Sequence, residues 1–134
     1  MVAQKQVSKE LEGLLVDEGE QAIDAVLRGV LEPYIGFMRD GRMITKPQFL
    51  KLSDPTRILV ALLGRQAMVR LGLPGAKAEA SADRLQGECM VPLKSCREYL
   101  SRFKSRRLLA KNEVGYFVPT WAVSDVAATV QKKP

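Results

Sequence analysis

The residues of this chain with the clearest chemical potential are basic and lie close together. Between Pro92 and Lys111 there are seven lysines and arginines and one acid, Glu98, so this stretch carries a net charge of +6, equal to the formal charge of the whole chain. The seven are Lys94, Arg97, Arg102, Lys104, Arg106, Arg107 and Lys111. Lysine and arginine side chains both bind phosphate, and arginine can also donate two hydrogen bonds to one guanine. The stretch is therefore suited to an anionic partner such as nucleic acid.

A helix would place these charges on one side of a domain. We predict a helix over Pro92–Arg107, because proline is favoured at the first helical position, where its missing N–H is not needed. At about 100° per residue, one face collects the apolar residues Leu93, Cys96, Tyr99, Leu100 and Phe103. The opposite face carries Lys94, Arg97, Glu98, Ser101 and Ser105. We expect the apolar face to pack on a core and the basic face to meet a partner.

Two further helices are predicted before the basic one. Ser53–Leu71 has a Ser-Asp pair suited to capping and Pro55 in its first turn. It is apolar around most of its circumference, so it should be largely buried. Ala76–Gly87 is predicted as a shorter helix whose start is left open, because Ser81 is a candidate cap for its later part only. Glu88–Val91 is predicted as a tight turn into the basic helix. Helix, short turn and helix at this length form a helix-turn-helix.

A hairpin and a last helix are predicted to follow. Leu108–Lys111 and Tyr116–Pro119 indicate two short strands, joined by the glycine-containing loop Asn112–Gly115. We expect Trp121–Val123 to fold back on the core, and Ser124–Gln131 indicates a C-terminal helix. Together these elements give a mainly α fold with a small β-hairpin (α+β).

The N-terminal quarter has the opposite charge. Residues 1–32 carry seven acids and three bases, a net charge of −4, which favours an orientation away from nucleic acid. Helical spacing places apolar residues in two runs. The first is Val7, Leu11, Leu14 and Leu15, with Ser8 as a candidate N-cap, and the second is Ala22, Ile23, Val26, Leu27, Val30, Leu31 and Tyr34. Two interpretations have equal weight: these helices brace the domain, or they join the subunits of a homodimer. Glu32–Ser53 is predicted as a connector, where a solvated loop is favoured over a phosphate contact.

Two stretches resemble a known superfamily, the winged helix-turn-helix DNA-binding proteins. Leu52–Gly64 (LSDPTRILVALLG) is similar to the opening helix of arsenical-resistance-repressor-like transcription regulators of archaea and bacteria. Ala82–Pro119 (ADRLQGECMVPLKSCREYLSRFKSRRLLAKNEVGYFVP) is similar to their second helix, recognition helix and wing. The resemblance covers residues 52–121. It implies a winged helix-turn-helix domain at 52–123, preceded by acidic helices and a connector at 1–51 as a candidate dimerisation segment, and followed by a C-terminal helix and tail at 124–134.

The resemblance implies that helix 92–107 lies in the major groove of double-stranded DNA, with the wing 108–119 on the backbone or in the minor groove. The early exposed residues of the helix would reach the bases: Lys94, Ser95, Arg97, Glu98 and Ser101. The later ones would contact phosphates and supply affinity: Arg102, Lys104, Arg106 and Arg107. Lys111 and Asn112, near the wing tip, would touch the backbone or the minor groove. For Glu98, an ion pair with Arg102 is favoured over a contact with a cytosine amine.

Other kinds of function have little support in the sequence. The chain has no histidine, and its two cysteines, Cys89 and Cys96, match no zinc pattern, so we expect no metal, no cofactor, no metal sensing and no enzymatic activity. Cys96 lies on the apolar helix face and is expected to be a small buried hydrophobe. We expect a cytoplasmic protein, because its two cysteines are predicted to be reduced. The sequence also shows no signal peptide and no apolar run of the ~20 residues that a membrane span needs.

Three functions fit these patterns. The preferred one is a homodimeric transcription regulator that binds double-stranded DNA with sequence preference, and this predicts tight duplex binding that weakens steeply with salt. A winged-helix module that binds an acidic protein surface predicts little duplex affinity at physiological salt. An RNA- or ribosome-associated winged helix predicts a preference for structured RNA. No effector is indicated.

Overall fold

The computed structural model describes residues 21–132 of the 134-residue chain. The first predicted apolar run, Val7 to Leu15 with its cap at Ser8, lies outside the described residues, as do the last two residues of the tail. Within the described part, the fold is mainly helical and contains short antiparallel hairpins, in agreement with the expected α+β class.

The elements follow one another in a simple order. Helix α1 covers residues 21–31. It is followed by strands β1 (Ile35–Phe37) and β2 (Met43–Thr45), a 3₁₀ helix (Pro47–Lys51), and helices α2 (Asp54–Arg70), α3 (Ala82–Cys89) and α4 (Leu93–Ser105). Strands β3 (Ala110–Lys111) and β4 (Tyr116–Phe117), a second 3₁₀ helix (Thr120–Ala122) and helix α5 (Val123–Lys132) complete it.

Helix α2 forms the centre of the core. Every residue from Ile58 to Leu63 is buried, because apolar side chains surround the helix and α3, α4 and α5 all pack against it. The N-cap is Ser53, and the helix agrees with its predicted limits to within one residue at each end. The Ser53 hydroxyl contacts the Thr56 hydroxyl at 2.8 Å rather than a backbone N–H.

The first hairpin occupies the region that the sequence predicted as a connector. β1 and β2 pair with Ile35 opposite Thr45 and Phe37 opposite Met43. A Cβ added at Gly64 of α2 would lie 2.6 Å from Ile35 Cδ1, so the glycine lets this hairpin approach the helix closely. The prediction of a plain connector was wrong because strands of three residues carry little signal and depend on packing for their stability.

The limits Ala76–Gly87 predicted for α3 were wrong, whereas the alternative cap at Ser81 is confirmed. The helix starts at Ala82, where the Ser81 hydroxyl caps it by accepting a hydrogen bond from the Arg84 N–H at 3.3 Å. The residues before it are not helical, and Ala80 instead pairs with Tyr116 of β4 through two backbone hydrogen bonds of 2.9 Å. The helix passes Gly87 and stops at Met90, whose left-handed conformation (φ 56°) ends it. The turn into α4 is therefore shorter than the predicted Glu88–Val91.

The basic helix and the second hairpin lie where the sequence predicts them, with shorter limits. α4 runs from Leu93 to Ser105, and Pro92 is its N-cap rather than its first residue. In the hairpin, Ala110 pairs with Phe117 and Lys111 with Tyr116, so each strand has two residues in place of the predicted four.

The two ends of the described chain both pack on the core. In α5, Val126 and Val130 are buried as its spacing indicates, and the helix begins one residue before its predicted start. Trp121, expected to fold inward, is 67% exposed because the 3₁₀ turn directs Ala122 inward in its place. In α1, the buried residues are Leu27, Val30 and Leu31, so this face braces the domain. No helix in residues 21–132 has both the length and the apolarity to cross a membrane.

Candidate nucleic-acid interface

Helix α4 divides cleanly into a buried face and a charged face. Cys96, Leu100 and Phe103 are buried, and Leu93 and Tyr99 are half-buried, as the helical spacing predicts. The exposed residues of the helix are Lys94, Arg97, Glu98, Ser101, Arg102, Lys104 and Ser105. Ser95, also a candidate for base contact, is half-buried and lies at the boundary between the two faces.

Two more arginines extend the charge past the end of the helix. Arg106 is the C-cap of α4, and Arg107 follows in the left-handed conformation (φ 61°). The Arg107 N–H donates to the Lys104 carbonyl at 3.0 Å, and the Leu108 N–H donates to the Phe103 carbonyl at 2.9 Å. This pair of bonds is a Schellman motif, whose left-handed position is usually glycine. Both arginine side chains are exposed.

The basic side chains along α4 and just after it have no partner among the described residues. Within residues 21–132, no ion pair or side-chain hydrogen bond involves Lys94, Arg97, Arg102, Lys104, Arg106 or Arg107. We call these six residues the α4 basic cluster. The expected ion pair between Glu98 and Arg102 does not form, because both side chains are exposed and such a pair gains little over solvation by water. A cluster of unpaired like charges is stabilised by an anion that contacts several of them together.

The tip of the second hairpin is held by hydrogen bonds of the Asn112 side chain. The Asn112 side-chain oxygen accepts hydrogen bonds from the backbone N–H groups of Val114 (2.9 Å) and Gly115 (3.2 Å). Its amide donates to the Glu79 carboxylate, and this hydrogen bond is the main reason why the pKa of Glu79 lies below its ordinary value. Asn112 therefore shapes the loop. Lys111 is exposed, with its Nζ 5.2 Å from the centre of the Tyr116 ring.

A half-buried arginine positions the helices beneath this surface. Arg57 of α2 donates through Nε to the Cys89 carbonyl at 2.8 Å and through Nη1 to the Leu52 carbonyl at 2.6 Å, and it forms an ion pair with Asp54. These bonds hold the last carbonyl of α3 to the start of α2, and so fix the turn that leads into α4. This role of Arg57 was not predicted from the sequence, although the three-residue spacing between Asp54 and Arg57 indicates that the two can pair.

The cysteines serve the core. Cys89 and Cys96 are free thiols and completely buried, as expected for Cys96. Burial raises the pKa of Cys89 to about 12 and also raises the pKa of Cys96. Across residues 21–132, no group of three or more His, Cys, Asp or Glu side chains could hold a metal ion.

Comparison with known proteins found no match for this chain. No protein-family model matches the chain, and neither a curated protein nor a solved structure does. The function of the surface must therefore be inferred from its own geometry and charge.

Proposed function

We propose that this protein binds double-stranded DNA as a winged helix-turn-helix transcription regulator, with α4 in the major groove and the β3–β4 hairpin as the wing. The observation that carries the proposal is the α4 basic cluster. Its six side chains are exposed and have no side-chain partner within residues 21–132. Lys94, Arg97, Arg102 and Lys104 lie outside the buried stripe of Cys96, Leu100 and Phe103 that docks α4 on the core, and Arg106 and Arg107 follow at the C-terminal end of the helix. This is the arrangement that a helix needs in order to enter a groove while it remains attached to its domain.

The order of the elements supports the same proposal. Three helices, α2, α3 and α4, precede the β3–β4 hairpin, and α3 and α4 are joined through Met90, Val91 and Pro92. The hairpin is attached to the segment before α3 through the Ala80–Tyr116 pair. A Cβ added at Gly115 would lie 2.5 Å from the Ala80 backbone, so glycine is required for this contact. The wing is thereby held in a defined position relative to the helix.

The cluster divides by position into two proposed roles. Lys94 and Arg97 lie in the first half of α4, where side chains reach base edges, and Ser101 lies one turn after Arg97. Arg102, Lys104, Arg106 and Arg107 lie at the other end, where they would bind phosphates and supply affinity. Asn112 is the least suited of the proposed contacts, because both ends of its side chain already form hydrogen bonds within the domain.

We also propose that the protein acts as a homodimer, since helix-turn-helix regulators read two half-sites that are related by the symmetry of a dimer. In α1, the face of Leu27, Val30 and Leu31 is already buried in the core. A subunit contact through residues 1–32 would therefore use residues outside that face.

The test is fluorescence anisotropy with a random-sequence DNA duplex across a salt series, beside a structured RNA at the same concentrations. The proposal predicts duplex binding that is tighter than RNA binding and weakens steeply with salt. In a plot of the logarithm of the binding constant against the logarithm of the salt concentration, the slope becomes more negative by about 0.9 for each phosphate that the protein neutralises. Absence of duplex binding at low salt would refute the proposal. Tighter binding to the RNA would replace it with an RNA-binding function.

A further inference from the structure

A second cationic surface lines a polar cavity that contains none of the α4 basic cluster. The cavity has a volume of about 370 Å³ and lies where β2, α2, α3 and the segment between the two helices meet. Its polar lining includes Thr45, Arg65, Lys77, Arg84 and Glu88. Small-molecule sites begin at about 300 Å³, so the cavity is large enough for a small ligand.

The lining has an excess of positive charge. Arg65, Lys77 and Arg84 face a single carboxylate, Glu88, which already forms an ion pair with Arg65. Lys77 and Arg84 are exposed and form no ion pair or side-chain hydrogen bond with the described residues, although Lys77 is near enough to lower the pKa of Glu79. The charge of these two residues is thus available to a ligand.

The Arg65–Glu88 pair beside them is incompletely satisfied. The Arg65 side chain is only 11% exposed, and its Nη1 reaches the Glu79 carbonyl at a long 3.5 Å. Its Nε and the second oxygen of Glu88 are buried and have no hydrogen-bond partner among the residues described. Each such atom costs free energy, and together the two atoms mark a place where the packing of this chain does not complete its own polar network. Glu88 cancels one cationic charge, so the lining retains a net charge of +2.

We propose that this cavity binds a small anion with two or more negative charges, of the phosphate-ester or diphosphate class. Lys77 and Arg84 contact the anion directly, and the Thr45 hydroxyl supplies a neutral donor. Arginine and lysine hydrogen bonds to phosphate are charge-assisted and so stronger than neutral ones. Arg65 pairs with Glu88 beside the site, so this carboxylate is neutralised and the net positive charge comes from Lys77 and Arg84. The residues of this site are separate from the α4 basic cluster, so the site does not rest on the proposed function.

The site also borders the segment that holds the wing. Lys77 precedes Glu79, which accepts the Asn112 amide, and Ala80, which pairs with Tyr116. An anion that holds Lys77 restricts this segment. The amide hydrogens of Ala80 and Tyr116 should then exchange more slowly with solvent, because their opening requires the segment to move.

Isothermal titration of the full chain with inorganic pyrophosphate tests the site. We expect saturable binding that weakens about tenfold in Lys77→Gln and in Arg84→Gln, since a hydrogen bond to a charged group contributes about that much. Lys51→Gln and Arg28→Gln remove the same charges from exposed positions outside the cavity and should leave the affinity unchanged. Bound pyrophosphate should also slow exchange at Ala80 and Tyr116.

Several results would overturn the site. Absence of saturable binding would do so, and so would an equal loss of affinity in the Lys51 and Arg28 controls. A loss in Arg102→Gln with no loss in Arg84→Gln would assign the anion to the α4 basic cluster instead. Each of these results is independent of whether the protein binds duplex DNA.

Discussion

The side-chain amide of Asn112 donates to the carboxylate of Glu79 across 2.8 Å, and this bond joins the tip of the second hairpin to the segment before α3. The same Asn112 side chain closes its own loop through the N–H groups of Val114 and Gly115. One residue thus sets both the shape of the hairpin tip and its place on the domain.

Replacing Asn112 with aspartate tests this link through its pH dependence. Asn112→Asp keeps an oxygen for the loop but places a carboxylate against Glu79, so their repulsion raises the pKa of at least one of the two groups in the folded state. A raised folded pKa means that stability is lost as pH rises through it. We expect the variant to be less stable than the wild type by about 1 kcal/mol at neutral pH, with the difference shrinking towards about pH 4. Urea unfolding across pH measures it.

The wild type should show the opposite trend at this site. The pKa of Glu79 is lowered in the folded state, so its contribution is present above the ordinary value of 4.5 and is lost as pH falls through the lowered pKa. The double variant Glu79→Gln/Asn112→Asp is the control, because its new amide can donate to the new carboxylate. A deficit at neutral pH that persists unchanged in the double variant would show that the Glu79 contact is not its cause.

We expect Arg107 to lower the stability of the fold and to strengthen the binding of duplex DNA. A side chain in the left-handed region costs about 1–2 kcal/mol, and glycine recovers only part of this because it loses more entropy on folding. We expect Arg107→Gly to raise the free energy of unfolding by roughly 0.5–1 kcal/mol and to weaken duplex binding several-fold, because a phosphate contact is lost. Urea unfolding and anisotropy measure the two effects on the same sample.

Two variants separate these effects. Arg107→Ala loses the charge without relieving the backbone, so it should weaken binding and gain no stability. Met90→Gly removes the strain of the same left-handed conformation (φ 56°) at an exposed residue that carries no charge. This variant should be more stable than the wild type and should bind duplex DNA with unchanged affinity. Unchanged duplex affinity in both Arg107 variants would remove this residue from the proposed interface.

The sequence predicted elements whose signals are local. α2, α4 and α5 were located to within about two residues because a capping residue, a proline or a clear apolar face marked each of them. The apolar and charged faces of α4 followed from helical spacing alone. The glycine-containing loop likewise predicted the second hairpin, although not the short length of its strands.

The parts that the sequence missed depend on contacts between distant residues. The Ala-rich stretch from Ala76 to Ser81 has a helical composition, yet Ala80 pairs with Tyr116, 36 positions further along the chain. The β1–β2 hairpin exists because it packs at Gly64 of α2. The roles of Arg57 and Glu79 rest on partners that lie 32 and 33 residues away. No local pattern of spacing or propensity contains such pairings.

Arg97 is the sharpest test of base contact. A bidentate contact with guanine contributes about 1–3 kcal/mol of discrimination, so Arg97→Ala should weaken binding to a selected preferred sequence more than binding to random duplex. Arg102→Ala, a proposed phosphate contact, should weaken both equally. An equal loss on both duplexes for Arg97→Ala would reassign this residue to phosphate contact.

The proposed dimer can be tested by a truncation that spares the core. Removing residues 1–32 would delete the buried Leu27, Val30 and Leu31, so removing residues 1–20 is the better choice. If this segment joins the subunits, light scattering should find a dimer for the full chain and a monomer for the shortened one, with helical content otherwise retained. An unchanged mass would place any subunit contact elsewhere.

The salt dependence of duplex binding, compared between two matched triple variants, tests the central claim most directly. Arg97→Gln/Arg102→Gln/Lys104→Gln removes three charges from α4, whereas Arg28→Gln/Arg39→Gln/Lys51→Gln removes the same charges from exposed positions elsewhere. We predict that the α4 variant lowers the magnitude of the salt slope by up to about 2.7, and that the matched variant leaves it unchanged. Equal slopes in both variants, or an equal loss of affinity, would contradict DNA binding through α4.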